Sequence, residues 1–258
     1  MRAKKSYGQH FLNSEPIAER IADSLLLTDQ YSQVLEIGPG QGMLTKYLLE
    51  KDYHLKVVEA DKDMVAYLQQ HYPPLSKDII SANFLSLNLK DYFKGSFAVI
   101  GNYPYNISSQ ILIKMIEYRE QIPEMVGMFQ KEVAERVVAG PGSKTYGVIG
   151  ILVQVFFEPT YLFTVKRTNF SPPPKVQSAI IRLVRRETPL IEDELWPTFK
   201  QVVKITFGQR RKMLRNTLKS FLEADDLQNP RFQARPEQLS VAEFVELAKK
   251  IYNKRLND

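Results

Sequence analysis

Phe97-Ala98-Val99-Ile100-Gly101-Asn102-Tyr103-Pro104-Tyr105-Asn106 runs four apolar residues straight into a turn. A short apolar run bounded by turn residues predicts a buried strand ending in a loop. Ligands of open parallel sheets sit beyond the carboxyl ends of the strands, so Asn102 to Tyr105 are expected at an active-site edge. An exocyclic amine on a nucleobase is a poor nucleophile, because its lone pair is delocalised into the ring. Two acceptors can draw on its N–H bonds, turn the nitrogen toward tetrahedral geometry and localise that pair. The Asn102 side-chain oxygen is one acceptor, and a backbone carbonyl in the Tyr103-Pro104 corner is the other. Pro104, with no N–H and a fixed φ, holds the corner rigid. Tyr105 offers a flat face to an unstacked base, a contact worth about 1–3 kcal/mol. The same residues also suit a plain Asn/Pro turn with two tyrosines packed against the core, so the rest of the chain has to decide.

The 258 residues suit one ordinary domain plus a small second one, and 44% hydrophobic content is enough to bury a core. With no cysteine there is no disulfide framework, Cys-based zinc site or thiol nucleophile. His10, His54 and His71 do not pair at metal-ligand spacing, so no metal is expected. Neither a secretory signal nor a membrane span is expected, which points to a soluble, cytoplasmic protein. The net charge of +6 is unevenly placed. Arg2, Lys4 and Lys5 precede the first acid at Glu15, and Lys200, Lys204, Arg210, Arg211, Lys212, Arg215 and Lys219 lie between Trp196 and Glu223 with no acid among them. Clustered positive charge is the footprint of a polyanion partner; the alternative is a solvated helix face.

Gln33 to Ile37, followed by Gly38-Pro39-Gly40-Gln41-Gly42, reads as strand and glycine-rich turn, with a helix over 43–51. Gly38 and Gly40 let the backbone approach a ligand closely. The turn lacks both the dinucleotide pattern and the Lys-Ser/Thr of a phosphate loop, which suits an adenosyl group better than a pyrophosphate. Glu59 ends the next strand, about twenty residues on, where an acid accepts from ribose hydroxyls. A third strand over 78–82 ends at Asn83, which either accepts from an adenine amino group or only makes a turn. Further strands are expected over 123–130, 148–157 and 177–184, with a helix over 131–138. Phe170 precedes three prolines that stiffen its loop, so it is expected to be presented for stacking on a base; ordinary core packing is the alternative. Lys175 beside it suits a phosphate. Beyond residue 186 the pattern turns to helices, over 192–205, 209–222 and 241–256. Arg211, Arg215 and Lys219 form a stripe on the second of these. The expected division is 1–186 and 187–258.

These segments resemble the small-subunit ribosomal RNA adenine N6-dimethyltransferase family. They are Gly8-Gln9-His10-Phe11-Leu12, Glu36-Ile37-Gly38-Pro39-Gly40, Glu59, Asn102-Tyr103-Pro104-Tyr105-Asn106, Gln130-Lys131-Glu132-Val133, Phe170-Ser171-Pro172-Pro173-Pro174-Lys175-Val176-Gln177-Ser178 and Phe207-Gly208-Gln209-Arg210-Arg211-Lys212. The resemblance implies a Rossmann-like α/β methyltransferase sheet with a small helical C-terminal domain that binds rRNA. It implies S-adenosylmethionine as donor and the small ribosomal subunit as partner; a monomer is the default. His10 and Leu12 would lie near the donor's methionine end, with Gly38 beneath it. Glu59 would meet the ribose, Asn83 the adenine, and Asn102 would stand between donor and target amine. Tyr105 and Phe170 would sandwich the target adenine, and Arg210, Arg211 and Arg215 would hold phosphates. Two positions depart from the family pattern: His10 replaces a usual Asn, and Asn83 a usual Asp. Rival readings are a large-subunit rRNA methylase of the macrolide-resistance type and a binding relative without catalysis.

Overall fold

A computed structural model describes residues 9–257. The basic arm with Arg2, Lys4 and Lys5, and Gly8 of the first motif, lie outside the described residues. The chain forms two compact units. One contains the residues up to Ala134 together with Pro159–Arg185; the other contains Glu135–Glu158 and the chain from Arg186 on. Residues 135–158 thus cluster with the C-terminal helices, against the expected single division at 186.

The elements of the first unit are β1 (Phe11–Leu12), α1 (Glu15–Ala22), β2 (Gln33–Ile37), α2 (Thr45–Leu48), β3 (His54–Glu59), α3 (Lys62–His71), β4 (Ile79–Ser81), β5 (Phe97–Asn102), α4 (Ser108–Glu117) and β6 (Glu124–Gln130). After α5 (Lys131–Val138) and α6 (Val148–Gln154) come β7 (Phe157–Val165), β8 (Phe170–Ser171) and β9 (Ser178–Arg185). Seven strands make one sheet in the order β4-β3-β2-β5-β6-β9-β7. From β4 to β6 neighbours are parallel, with Gln33 opposite both His54 and Phe97, and Val99 opposite Met125. β9 runs antiparallel to β6, Gln130 facing Ser178. Strands β2, β5 and β6 are buried and mainly apolar, as a sheet covered on both faces requires, with Glu36 and Glu124 as buried exceptions. Leu55 and Val57, Ala98 and Ile100, and Val126 and Met128 share one face two residues apart, in one cluster with Ala18, Ile21 and Leu48. Asp61 caps α3 through Asp63 N–H at 3.1 Å. Ser14 stands at the start of α1, but its side chain makes no cap.

The chain lays down β2, β3 and β4 outward, then returns to place β5 on the other side of β2. This reversal is a topological switch point, where the connections leaving neighbouring strands diverge and open a crevice. β2 and β5 are the strands that end in the glycine turn and in Asn102.

The second unit departs most from sequence expectation. Val148–Gln154 is a helix, not a strand. Its residues Gly150 to Val153 are all buried, and an apolar run that is covered all round shows no period to tell helix from strand. The helix expected over 209–222 is broken: α7 (Trp196–Gly208) ends at Gly208, residues 209–213 turn, and α8 (Leu214–Thr217) is one turn long. The stripe of Arg211, Arg215 and Lys219 is therefore not a helix face, although all three remain exposed. Aromatic contacts fill the interior, Phe156 on Trp196 at 5.0 Å and Phe207 on Phe244 at 5.9 Å between ring centroids. The last helix is α9 (Val241–Asn257). No helix among the described residues is long and apolar enough to cross a membrane.

Candidate active site

A cleft of about 520 Å³ opens at the switch point. Its lining includes His10 and Leu12, Glu36 to Gly40, Glu59, Asn83 and Phe84, and Asn102 to Ile107. Residues from four strand ends and the N-terminal segment are thus brought together, among them His10, Leu12, Gly38, Gly40, Glu59, Asn83 and Asn102.

The glycine turn makes the floor. Gly38 and Gly40 have φ of 68° and 54°, which side chains rarely adopt. A Cβ on Gly40 would meet the Phe11 ring at 3.0 Å. In this conformation the Gly40 N–H donates to Glu59 Oε2 at 3.2 Å, and Asp61 N–H donates to Oε1 at 2.9 Å. Glu59 is 7% exposed. Burial pushes its carboxyl above the usual value, and the backbone donors offset part of that rise. Glu36, one residue before the end of β2, is 1% exposed and accepts from Thr45 Oγ1 at 2.7 Å. Burial, aided by nearby Glu59, pushes it up to about 8. Glu36 belongs to the Glu-Ile-Gly-Pro-Gly motif without a role that the motif assigns, yet a carboxylate inside an otherwise apolar strand is itself a signal for a cleft group.

The Asn102 corner is anchored from below. Tyr103 is 1% exposed; its hydroxyl donates to Val126 O at 3.1 Å, and its ring packs edge-on against Phe129. Glycine at 127 leaves room for that ring. Of the two tyrosines, then, Tyr103 has the core-packing role, and it seats the loop. Asn102 Nδ2 donates to the His10 carbonyl at 3.0 Å, which commits the amide's donor side and leaves Oδ1 as the acceptor. The Pro104 carbonyl accepts from Ile107 N–H at 3.2 Å and keeps one lone pair. The Tyr105 hydroxyl and Ser178 Oγ share a hydrogen bond of 2.5 Å, and its ring stacks on His10 at 5.5 Å between centroids. His10 Nδ1 lies 2.8 Å from Pro172 O.

Three expected residues stand differently. Asn83 lines the cleft and also makes the turn that was its alternative, its Oδ1 accepting from Leu85 N–H at 3.0 Å. Phe170 is not presented: it is 3% exposed and belongs to the core, because β8 pairs with β1 and sets it opposite Leu12. Arg210 is a clamp, donating to Lys144 O at 3.0 Å and Ser143 O at 3.2 Å, with Glu237 at 3.7 Å. Lys175, Arg211 and Arg215 are exposed. Among the described residues no group of acids and histidines is arranged to hold a metal.

A Rossmann-like sheet, a glycine-floored cleft at its switch point and an Asn-Tyr-Pro-Tyr corner together define a methyltransferase. The chain matches the family described as ribosomal RNA adenine dimethylase over residues 1–253 and belongs to that family of enzymes. It is 51% identical over 257 residues to ribosomal RNA small subunit methyltransferase A of Cytophaga hutchinsonii, covering 98% of this chain and 99% of that one. The protein of the same name in Flavobacterium johnsoniae is also 51% identical, over 97% of this chain and 96% of its own. Among solved structures, a dimethyladenosine transferase from Plasmodium falciparum superposes with a TM-score of 0.81 at 25% identity, over 95% of this chain and 98% of that one. The 23S rRNA methyltransferase ErmE superposes with a TM-score of 0.70 at 26% identity, over 92% and 99%.

Proposed function

We propose that the protein transfers methyl groups from S-adenosylmethionine to the N6 amines of two adjacent adenines near the 3′ end of small-subunit rRNA, late in subunit assembly. The observation that carries the reading is the Asn102 amide, whose nitrogen is committed to His10 and whose oxygen is left to accept inside the cleft. The family and the names of its small-subunit relatives support the substrate.

The cleft fits the donor by its own chemistry. Its positive-φ glycines remove side chains from the floor, and buried Glu59 has carboxylate lone pairs for ribose hydroxyls beyond the two backbone bonds. Leu12 and the His10 segment close the methionine end. Asn83 sits at the adenine end, with one Oδ1 lone pair left after its turn bond. S-adenosylmethionine, when bound, supplies an electrophilic methyl on a sulfonium sulfur.

Asn102 Oδ1 and the Pro104 carbonyl accept from the target N–H groups and localise the nitrogen lone pair. Positioning of this kind supplies most of the rate. No strong general base is needed, because the methylated ammonium is itself acidic. The target adenine is splayed from its RNA context and stacks on Tyr105, whose ring Ser178 holds in place. Phe170 supports Leu12 across the β1–β8 pair instead of forming the second face of a sandwich. Lys175, Arg211 and Arg215 hold phosphates without reading sequence, and Arg210 shapes the turn that presents Arg211. The protein acts as a cytoplasmic monomer with no metal.

The test is incubation with labelled S-adenosylmethionine and, separately, unmethylated small subunits, large subunits and naked rRNA, followed by nucleoside identification. The expected product is N6,N6-dimethyladenosine on small subunits. Label on large-subunit RNA alone would move the protein to the activity named for its ErmE neighbour. Donor binding without transfer to any RNA would leave a binding factor.

A further inference from the structure

The turn after β4 carries the Asn83 and Phe84 wall of the cleft, and it is gripped from behind by a buried cation. Lys114, in α4, is 7% exposed. Its Nζ donates to Leu85 O at 3.0 Å and to Leu87 O, and it lies over the Phe84 ring at 5.1 Å. The other side of the turn is held by Asn83, whose Oδ1 accepts from Leu85 N–H and whose carbonyl accepts from Ser86 Oγ at 2.9 Å. One helical turn after Lys114, the Tyr118 hydroxyl donates to Asn88 Oδ1 at 3.1 Å and accepts from Leu89 N–H at 3.3 Å. Burying an ammonium is costly unless it is fully bonded. Its neighbours Ile111, Leu112, Met115 and Ile116 are buried and apolar, so an apolar side chain would fill the space without that cost.

The same helix begins directly after the short helical turn Tyr105–Ile107. α4 therefore continues from the Asn102–Tyr105 corner at its N-terminal end and grips the Asn83–Phe84 wall from its middle. We propose that Lys114 is a positioning residue for the methyl donor: by fixing the 83–87 turn it sets the adenine wall of the cleft, at a distance from the Asn102 corner that the rigid helix maintains. The proposal rests on the reading of this cleft as the donor site.

The test is Lys114→Met in the full chain, which keeps the apolar stem and removes the charge and donors. Binding of S-adenosylmethionine and of 5′-methylthioadenosine, which keeps adenine and ribose but lacks the amino-acid end, is measured by calorimetry without RNA. Steady-state methylation is measured alongside. Both affinities are expected to fall by the same factor, about tenfold for a lost charge-assisted hydrogen bond. The KM for donor should rise in parallel, with kcat and the KM for the RNA substrate unchanged. Lys114→Arg, which keeps a cation and its donors, should restore most of the affinity. If Lys114→Met does not fold, Lys114→Gln is read in the same way with a smaller fall. Unchanged binding, a loss for the full donor but not for methylthioadenosine, or a fall in kcat at constant donor KM would each overturn the proposal. A wild-type chain that binds neither ligand would overturn the donor-site reading and this proposal with it.

Discussion

The cleft of the first unit and the basic turn of the second are built in opposite ways. In the cleft the polar groups hold one another: Asn102 by His10, Glu59 by Gly40 and Asp61, Glu36 by Thr45, and Tyr105 by Ser178. In the turn at 209–215 only Arg210 is held in this way among the described residues, by two carbonyls and Glu237. Arg211, Lys212 and Arg215 are exposed and have no acidic partner among the described residues. Held groups act by direction over short range and are little affected by salt. Unheld cations act through a field that salt screens within about 10 Å. The first arrangement suits a reaction that depends on lone-pair alignment, and the second suits capture of a polyanion whose sequence is read by other means.

Four experiments test this contrast. Asn102→Ala should have the largest effect. Removing a preorganised polar group at the reacting centre costs about 10²–10³ in kcat; donor affinity measured without RNA should fall by a smaller factor, through the lost bond to the His10 segment. A kcat near wild type would deny that Asn102 holds the amine. Next, Glu59→Gln should weaken donor binding by about tenfold, the worth of hydrogen bonds to a charged group. That loss should be the same at low and high salt; strong salt dependence would mean Glu59 acts through its field alone.

Glu36 offers a pH signature. Its folded value of about 8 lies above the ordinary 4.5, so the folded chain binds this proton more tightly than the unfolded chain does. The stability it contributes is fully present below about pH 4.5 and is lost as pH rises toward about 8, at up to about 1.4 kcal/mol per pH unit. Glu59, also raised by burial, works in the same direction. Urea denaturation across this range should show wild type losing stability more steeply than Glu36→Gln, and parallel curves would remove Glu36 from the account. The smallest effect belongs to the turn. Arg211→Gln should lower affinity for RNA only a few-fold and reduce the slope of log K against log salt by about 0.7–0.9, the share of one phosphate contact. Donor affinity should not change. An unchanged slope would place Arg211 outside the RNA contact.

The amino-acid sequence was sufficient for whatever depends on neighbours along the chain. Apolar runs ending in turn residues located β2, β3, β5, β6 and β9, and the spacing of Gly38, Gly40 and Glu59 placed a donor-type loop before an acid. The strand end before Asn102 was legible for the same reason, since in an α/β sheet strand ends and ligand edges coincide. Contacts across the chain were not legible. The core position of Phe170 comes from a strand pair with Leu12, and the Asn102 amide is oriented by the His10 carbonyl. Arg210 reads as one more surface cation until the loop at 143–144 is folded against it. Val148–Gln154 reads as a strand although it folds as a helix, because a mainly apolar run with a buried centre shows too little polar face to reveal its period. Tertiary packing alone decides which uniformly apolar run becomes a helix, and which tyrosine of two is core and which is cleft.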